Sequence, residues 1–177
     1  MAFMDLARER YSERRFDPNR AIEPEKLDQI LEAGHLAPTA CNCQPQRILI
    51  VQSPEGLAKV DKATRCRFGA PCVAVLAYDM KEAARNPDVV DFGPVDTSIV
   101  ATHMMMEAAD LGVHSCWVGL VDPSELRRQF DIPSTHRIIS IMDLGYPGEH
   151  SRPAPLHSAS RPLEETVSFE TFAKPEG

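Results

Sequence analysis

The chain has 177 residues, 43% of them hydrophobic and 25% charged, and 19 Lys and Arg against 26 Asp and Glu leave a net charge of −7. One domain fits that length, and a fold of this size buries roughly 70% of the surface its unfolded chain exposes, so a core forms without disulfide or metal staples. The acidic balance, with no run of five Lys or Arg, argues against nucleic acid or an anionic membrane as principal partner and leaves small molecules and other proteins.

The N-terminus becomes charged at Asp5 and Arg8 before any signal-like apolar region develops. The most apolar stretch, residues 72–78, is far shorter than the ~20 residues of a membrane helix. A cytoplasmic protein without a membrane partner is expected. Five cysteines with no CxxC pair suit reduced thiols, and six scattered histidines without HExxH predict no metal site.

In chain order, 6–14 is a short helix candidate. Residues 24–34 form a better one, with Pro24 and Glu25 suited to a first turn and Leu27, Ile30 and Leu31 on one face. Residues 47–52 read as a strand, 54–63 as a helix, and 72–78 as a strand buried on both faces. The longest helical pattern, 95–111, leaves few polar faces, so it is buried in the core or at a subunit interface; Gly112 ends it. A short segment 114–119, a helix 123–130 capped by Asp122, and a strand 137–145 follow. The proline-rich remainder, 146–177, is expected to be an extended tail on one single domain. Helices and strands mix without strict βαβ alternation, which predicts an α+β fold.

Three segments carry candidate chemistry. Arg10 and Arg14 share a helical face with Ser12 between them if the first helix runs through Arg14, and two guanidiniums with a hydroxyl can hold a phosphate; a solvated helix end pairing with Glu9 and Glu13 is the alternative. The loop APTACNCQP, 37–45, offers Asn42 and Gln44, whose amides suit the edge of a planar heterocycle, although an ordinary capping loop has the same composition. Cys41 and Cys43 there lack a basic neighbour that would activate a thiol and read as packing residues, Cys41 the more exposed. In SCWVG, 115–119, Gly119 lets backbone approach a ligand, and Trp117 reads as core. Neither GxGxxG nor GxxxxGK[ST] occurs, which excludes the usual dinucleotide and P-loop signatures.

The start RYSER with Arg15 and Phe16, the APTACNCQP loop, the helix end AADLG, SCWVG, GYPGE and the late SRPLEE come in one order along nearly the whole chain. In that order and spacing the sequence resembles the nitroreductase family of FMN-dependent oxidoreductases. The resemblance implies a mainly antiparallel sheet flanked by helices in an intertwined homodimer with FMN at the interface. It implies that Arg10, Tyr11, Ser12, Arg14 and Arg161 hold the phosphate and ribityl end, that Pro38, Thr39, Ala40, Asn42 and Gln44 approach from the partner subunit, and that backbone at Cys116, Val118 and Gly119 lies along the ring. Arg65 or Arg67 would place a cation near flavin N1 and O2. No catalytic side chain is implied, since flavin N5 carries the chemistry: NAD(P)H would reduce the flavin and a nitroaromatic, quinone or similar acceptor would reoxidise it in a ping-pong cycle. A flavin-binding protein of the same fold without reductase turnover, or a related chemistry such as reductive dehalogenation, are the alternatives. Gln46 where relatives have Trp, Tyr11 after Arg10, and Ala159 where a basic residue often stands are departures from the family pattern.

Overall fold

The computed structural model describes residues 2–85 and 91–172. The last five residues of the expected tail lie outside that range. Four strands form one antiparallel sheet in the order β1-β2-β4-β3: β1 (Gln46–Val51), β2 (Cys72–Asp79), β3 (His114–Val118) and β4 (His136–Gly145). The expected α+β class and antiparallel sheet are present.

β2 is central, and its residues from Cys72 to Tyr78 are all buried, because helices cover both faces of the sheet. On one face α2 (Pro24–His35) and α4 (Gly93–Asp110) pack over Ala74, Leu76, Met142 and Leu144. The helices approach closely at Gly34, where an added Cβ would lie 2.7 Å from Met104 Cγ. On the other face α3 (Pro54–Ala63) and α5 (Pro123–Phe130) cover Val73, Val75 and Ile141. Asp122 opens α5 as the sequence predicts, its Oδ1 accepting from Ser124 N at 2.9 Å and Glu125 N at 3.2 Å. Gly112, with φ +71°, turns the chain from α4 into β3.

Two expectations need correction. The helix predicted over 6–14 is α1 (Phe3–Glu9) and stops before the arginines: Arg10 takes φ −60°, ψ 126°, and the chain continues extended. What ends the helix is a distant strand, since Ser12 bridges Ser115 in parallel and Glu13 N donates to Ser115 O at 3.0 Å. Cys41 is exposed and is not a packing residue. Tyr146 is the last large core side chain; its ring lies under the Arg20 guanidinium at 3.4 Å and its hydroxyl meets Glu23 and Lys26. Past it the chain runs over the surface through the turn Pro155–Ser158 and α6 (Leu163–Thr166), leaving Leu156, Leu163, Phe169 and Phe172 exposed. Among the described residues no helix is long and apolar enough to cross a membrane.

Candidate functional site

β3 is an edge strand, so one side of its backbone is not used by the sheet. The extended segment 10–14 occupies the start of that edge. Extended backbone alternates its side chains, which sets Arg10, Ser12 and Arg14 on one side and Glu13 on the other, while the long Tyr11 side chain both reaches Glu13 and edges the cavity beside the arginines. The arginines therefore do share a face, with a strand's spacing instead of a helix's. Arg10, Tyr11, Ser12 and Arg14 line a cavity of about 460 Å³ whose other wall is Ala154, Leu156 and His157 of the tail. Among the described residues neither Arg10 nor Arg14 pairs with a carboxylate; the bond given by Arg14 goes to the Ser12 carbonyl at 3.4 Å. The alternative of a helix end neutralised by Glu9 and Glu13 is not what forms.

Tyr11 joins the segment to its surroundings. Its ring meets His114 edge-on at 5.0 Å and His157 at 6.0 Å, and its hydroxyl donates to Glu13 Oε2 at 3.1 Å. Burial is the main reason its phenol is held above the ordinary value.

Along β3, Cys116 and Val118 are buried and Gly119 is exposed, and a Cβ at Gly119 would meet nothing within 4 Å. Open space lies over that backbone. Burial pushes the Cys116 thiol up to about 11, with the Asp143 carboxyl adding to the effect, so it is no nucleophile at neutral pH. Trp117 packs against the α2/α4 core as the sequence suggests.

The 38–44 loop lies elsewhere. Ala40 N donates to Asp96 Oδ1 at 2.9 Å, in the first turn of α4. Thr39 Oγ1 accepts from Gln44 N at 3.1 Å, and Gln44 Nε2 donates to Asn42 Oδ1 at 3.1 Å. Cys41, Asn42 and Gln44 all have φ near +50° (52°, 54° and 50°), and Pro38, Asn42 and Gln44 are exposed. Arg10, Tyr11 and His114 instead gather at the far end of α4, beside Ala109. Thirteen residues separate Asp96 from Ala109, roughly 20 Å at a helical rise of 1.5 Å per residue. One chain thus keeps the two halves of the sequence-predicted set apart.

The remaining cations divide. Arg65 is exposed in the α3–β2 connection. Arg67 is engaged within the fold, both Nε and Nη2 donating to the Asp61 carboxylate at 2.7 Å and Nη1 to Ala70 O at 2.8 Å. Arg161 is exposed on the tail, 3.9 Å from Glu165. Three residues that matter here escape sequence reasoning: Glu13, Asp96 and Ser151. Asp96 leaves only the ordinary signal of an acidic residue in a helix's first turn.

Comparison with known proteins decides the family. The profile described as Nitroreductase family matches residues 7–68 and 67–146. The chain belongs to the nitroreductase family of oxidoreductases. A relative from Archaeoglobus fulgidus, provisionally named an NADH dehydrogenase/NAD(P)H nitroreductase, is 32% identical over 138 residues, 73% of this chain and 76% of that one. A nitroreductase family protein from Clostridium difficile 630 superposes with a TM-score of 0.91 at 36% identity, covering 97% of this chain and all of the other. A provisionally assigned nitroreductase from Exiguobacterium sibiricum, crystallised with FMN, shares the fold with a TM-score of 0.84 at 20% identity, covering 96% and 98%. The nitroreductase chain described here thus carries its family's fold over nearly its whole length.

Proposed function

We propose that this chain is an FMN-dependent oxidoreductase that takes electrons from NAD(P)H and passes them to nitroaromatic, quinone or similar electron-poor acceptors. The observation that carries the reading is the pair of carboxylate-free guanidiniums, Arg10 and Arg14, flanking Ser12 on the free edge of β3. A dianionic phosphate fits that set, because charge-assisted bonds from Arg are the strong ones. The open backbone at Gly119 suits a planar ring laid along the strand.

When bound, FMN supplies hydride-transfer chemistry that no side chain of the chain offers. The residues bind and orient it. Arg10, Ser12 and Arg14, with Tyr11 against them and Arg161 from the tail, hold the phosphate and ribityl end. Backbone around Cys116, Val118 and Gly119 faces the ring, and Arg65 is the cation for its N1 and O2 side, Arg67 being committed to Asp61. Donor and acceptor use one face in turn, so the oxidised nucleotide leaves before the acceptor enters.

The separation of loop 38–44 from Arg10 supports a homodimer with shared sites. α4 turns Val95 and Met106 away from its core residues Val100, Met104 and Ala108, with Ile99 partly buried between the two sides. A twofold axis perpendicular to α4 would pair the helix with its copy in opposite directions. That arrangement would bring Pro38, Thr39, Ala40, Asn42 and Gln44 of one subunit to the Arg10 end of the other.

Titrating reconstituted protein with NADPH or NADH without oxygen tests the reading. Bleaching of the yellow colour, restored by menadione or nitrofurazone, is the expected result. Bound FMN that neither nucleotide reduces would overturn reductase activity and favour a flavin-binding protein of this fold.

A further inference from the structure

We propose that Glu13 is a positioning residue whose carboxylate locks the extended 10–14 segment, which carries the flavin-binding arginines, to the start of the tail. This rests on the flavin reading above.

Glu13 is 1% exposed although Arg14 and Arg15 beside it are on the surface. Burying a carboxylate is costly unless its acceptor sites are filled, and an aliphatic side chain would fill the same position more cheaply. Here the sites are filled, two by neighbours in its own segment and one by the tail. Oε1 accepts from Arg15 N at 2.8 Å. Oε2 accepts from the Tyr11 hydroxyl at 3.1 Å and from Ser151 Oγ at 2.5 Å, and those two hydroxyls lie 3.2 Å apart. His114 Nδ1, at the start of β3, is 3.6 Å away. The Glu13 amide donates to Ser115 O, so the backbone fastens the segment to β3, while the side chain ties it to the tail through Ser151.

The carboxylate itself opposes an anionic ligand. Its negative charge belongs to the same short segment as the two arginines that would hold phosphate, so by charge alone its removal would strengthen flavin binding. What it contributes is orientation: with Glu13 turned inward, alternation along the strand turns Ser12 and Arg14 toward the cavity. Through Ser151 it also fixes where the tail departs, ten residues before Arg161. Charge and position therefore predict opposite outcomes for its loss.

FMN affinity, followed by quenching of flavin fluorescence, separates them in Glu13→Ala, Glu13→Gln and Ser151→Ala, with far-UV circular dichroism reporting the fold. Glu13→Ala is expected to weaken FMN binding by about tenfold or more, the scale of one bond to a charged group. Glu13→Gln keeps an acceptor for Arg15 N and gains a donor for Ser151, so it is expected to restore most of the affinity. Ser151→Ala weakens binding several-fold and adds little once Glu13 is Ala, because the two share one bond. A second readout needs no flavin: burial lowers the His114 pKa and Glu13 raises it, so an NMR titration should find His114 lower still in Glu13→Gln. If Glu13→Ala does not fold, Ser151→Ala carries the test. Wild-type affinity in a folded Glu13→Ala or in Ser151→Ala would overturn the positioning role alone; wild-type protein that binds no FMN would overturn the flavin reading and this one with it.

Discussion

Arg10 and Arg14 are the residues on which the flavin reading depends most directly, because nothing else in the described chain neutralises them. Arg10→Ala is expected to weaken FMN binding by about 1.5–3 kcal/mol, the range for bonds to charged groups. Equilibrium titration of the variant checks it, and undiminished affinity would exclude the position. Asp143 makes a second prediction, about stability. It is fully buried on β4, opposite Cys116 in register, and neither carboxyl oxygen has a hydrogen-bond partner. Burial pushes its pKa up to about 8, with Arg67 opposing and Asp61 reinforcing the rise. Unfolded, the same carboxyl ionises near pH 4. Between roughly pH 4 and 8 the folded state therefore holds a proton that the unfolded state has lost, so its contribution declines as pH rises and levels off above the folded pKa. Asp143→Asn should flatten that decline: urea midpoints at about pH 5 and pH 8 should differ less than in the wild type.

At the scale of elements, α2 and α4 show how sequence and packing combine. The apolar spacing of Leu27, Ile30 and Leu31 and the run through 95–111 predict two helices, and both form within two residues of the expected ends. Their contact at Gly34 is not visible in either pattern, since it depends on Met104 being opposite. Gly34→Ala would force Met104 aside at a cost of about 1–3 kcal/mol, the usual penalty for overpacking, and chemical denaturation would measure it. The first helix shows the converse. Residues 6–14 have helical spacing, yet Arg10 to Arg14 leave the helix because their backbone pairs with Ser115, about a hundred residues away. Local propensity lost to a long-range strand contact there. The candidate site gained from the outcome, because alternation keeps Arg10, Ser12 and Arg14 together while burying Glu13.

At the scale of the whole molecule, net charge −7 coexists with a local cluster of unpaired guanidiniums, so the average says little about the ligand. The apolar residues that α4 turns outward and the roughly 20 Å between loop 38–44 and Arg10 are the observations on which the proposed homodimer rests. Val95→Asp, on the outward side of α4, is expected to convert a dimer into a species near the 19.6 kDa of one chain and to release flavin in the same step. Sedimentation with flavin absorbance checks both. Wild-type holoprotein at monomer mass would contradict shared sites.

The sequence by itself determined the class of fold, most element boundaries and the motifs of the family, because prolines, glycines and apolar periodicity act over a few residues and are written locally. It also supplied the candidate site residues, by resemblance. Only the tertiary structure decided that the arginines ride a strand, that Asp96 anchors the 38–44 loop, that Arg67 is spent on Asp61, and that Glu13 ties the strand to the tail. Each of those depends on a partner distant in sequence, and a hydrogen bond between distant residues exists only once the core has brought them within about 3 Å.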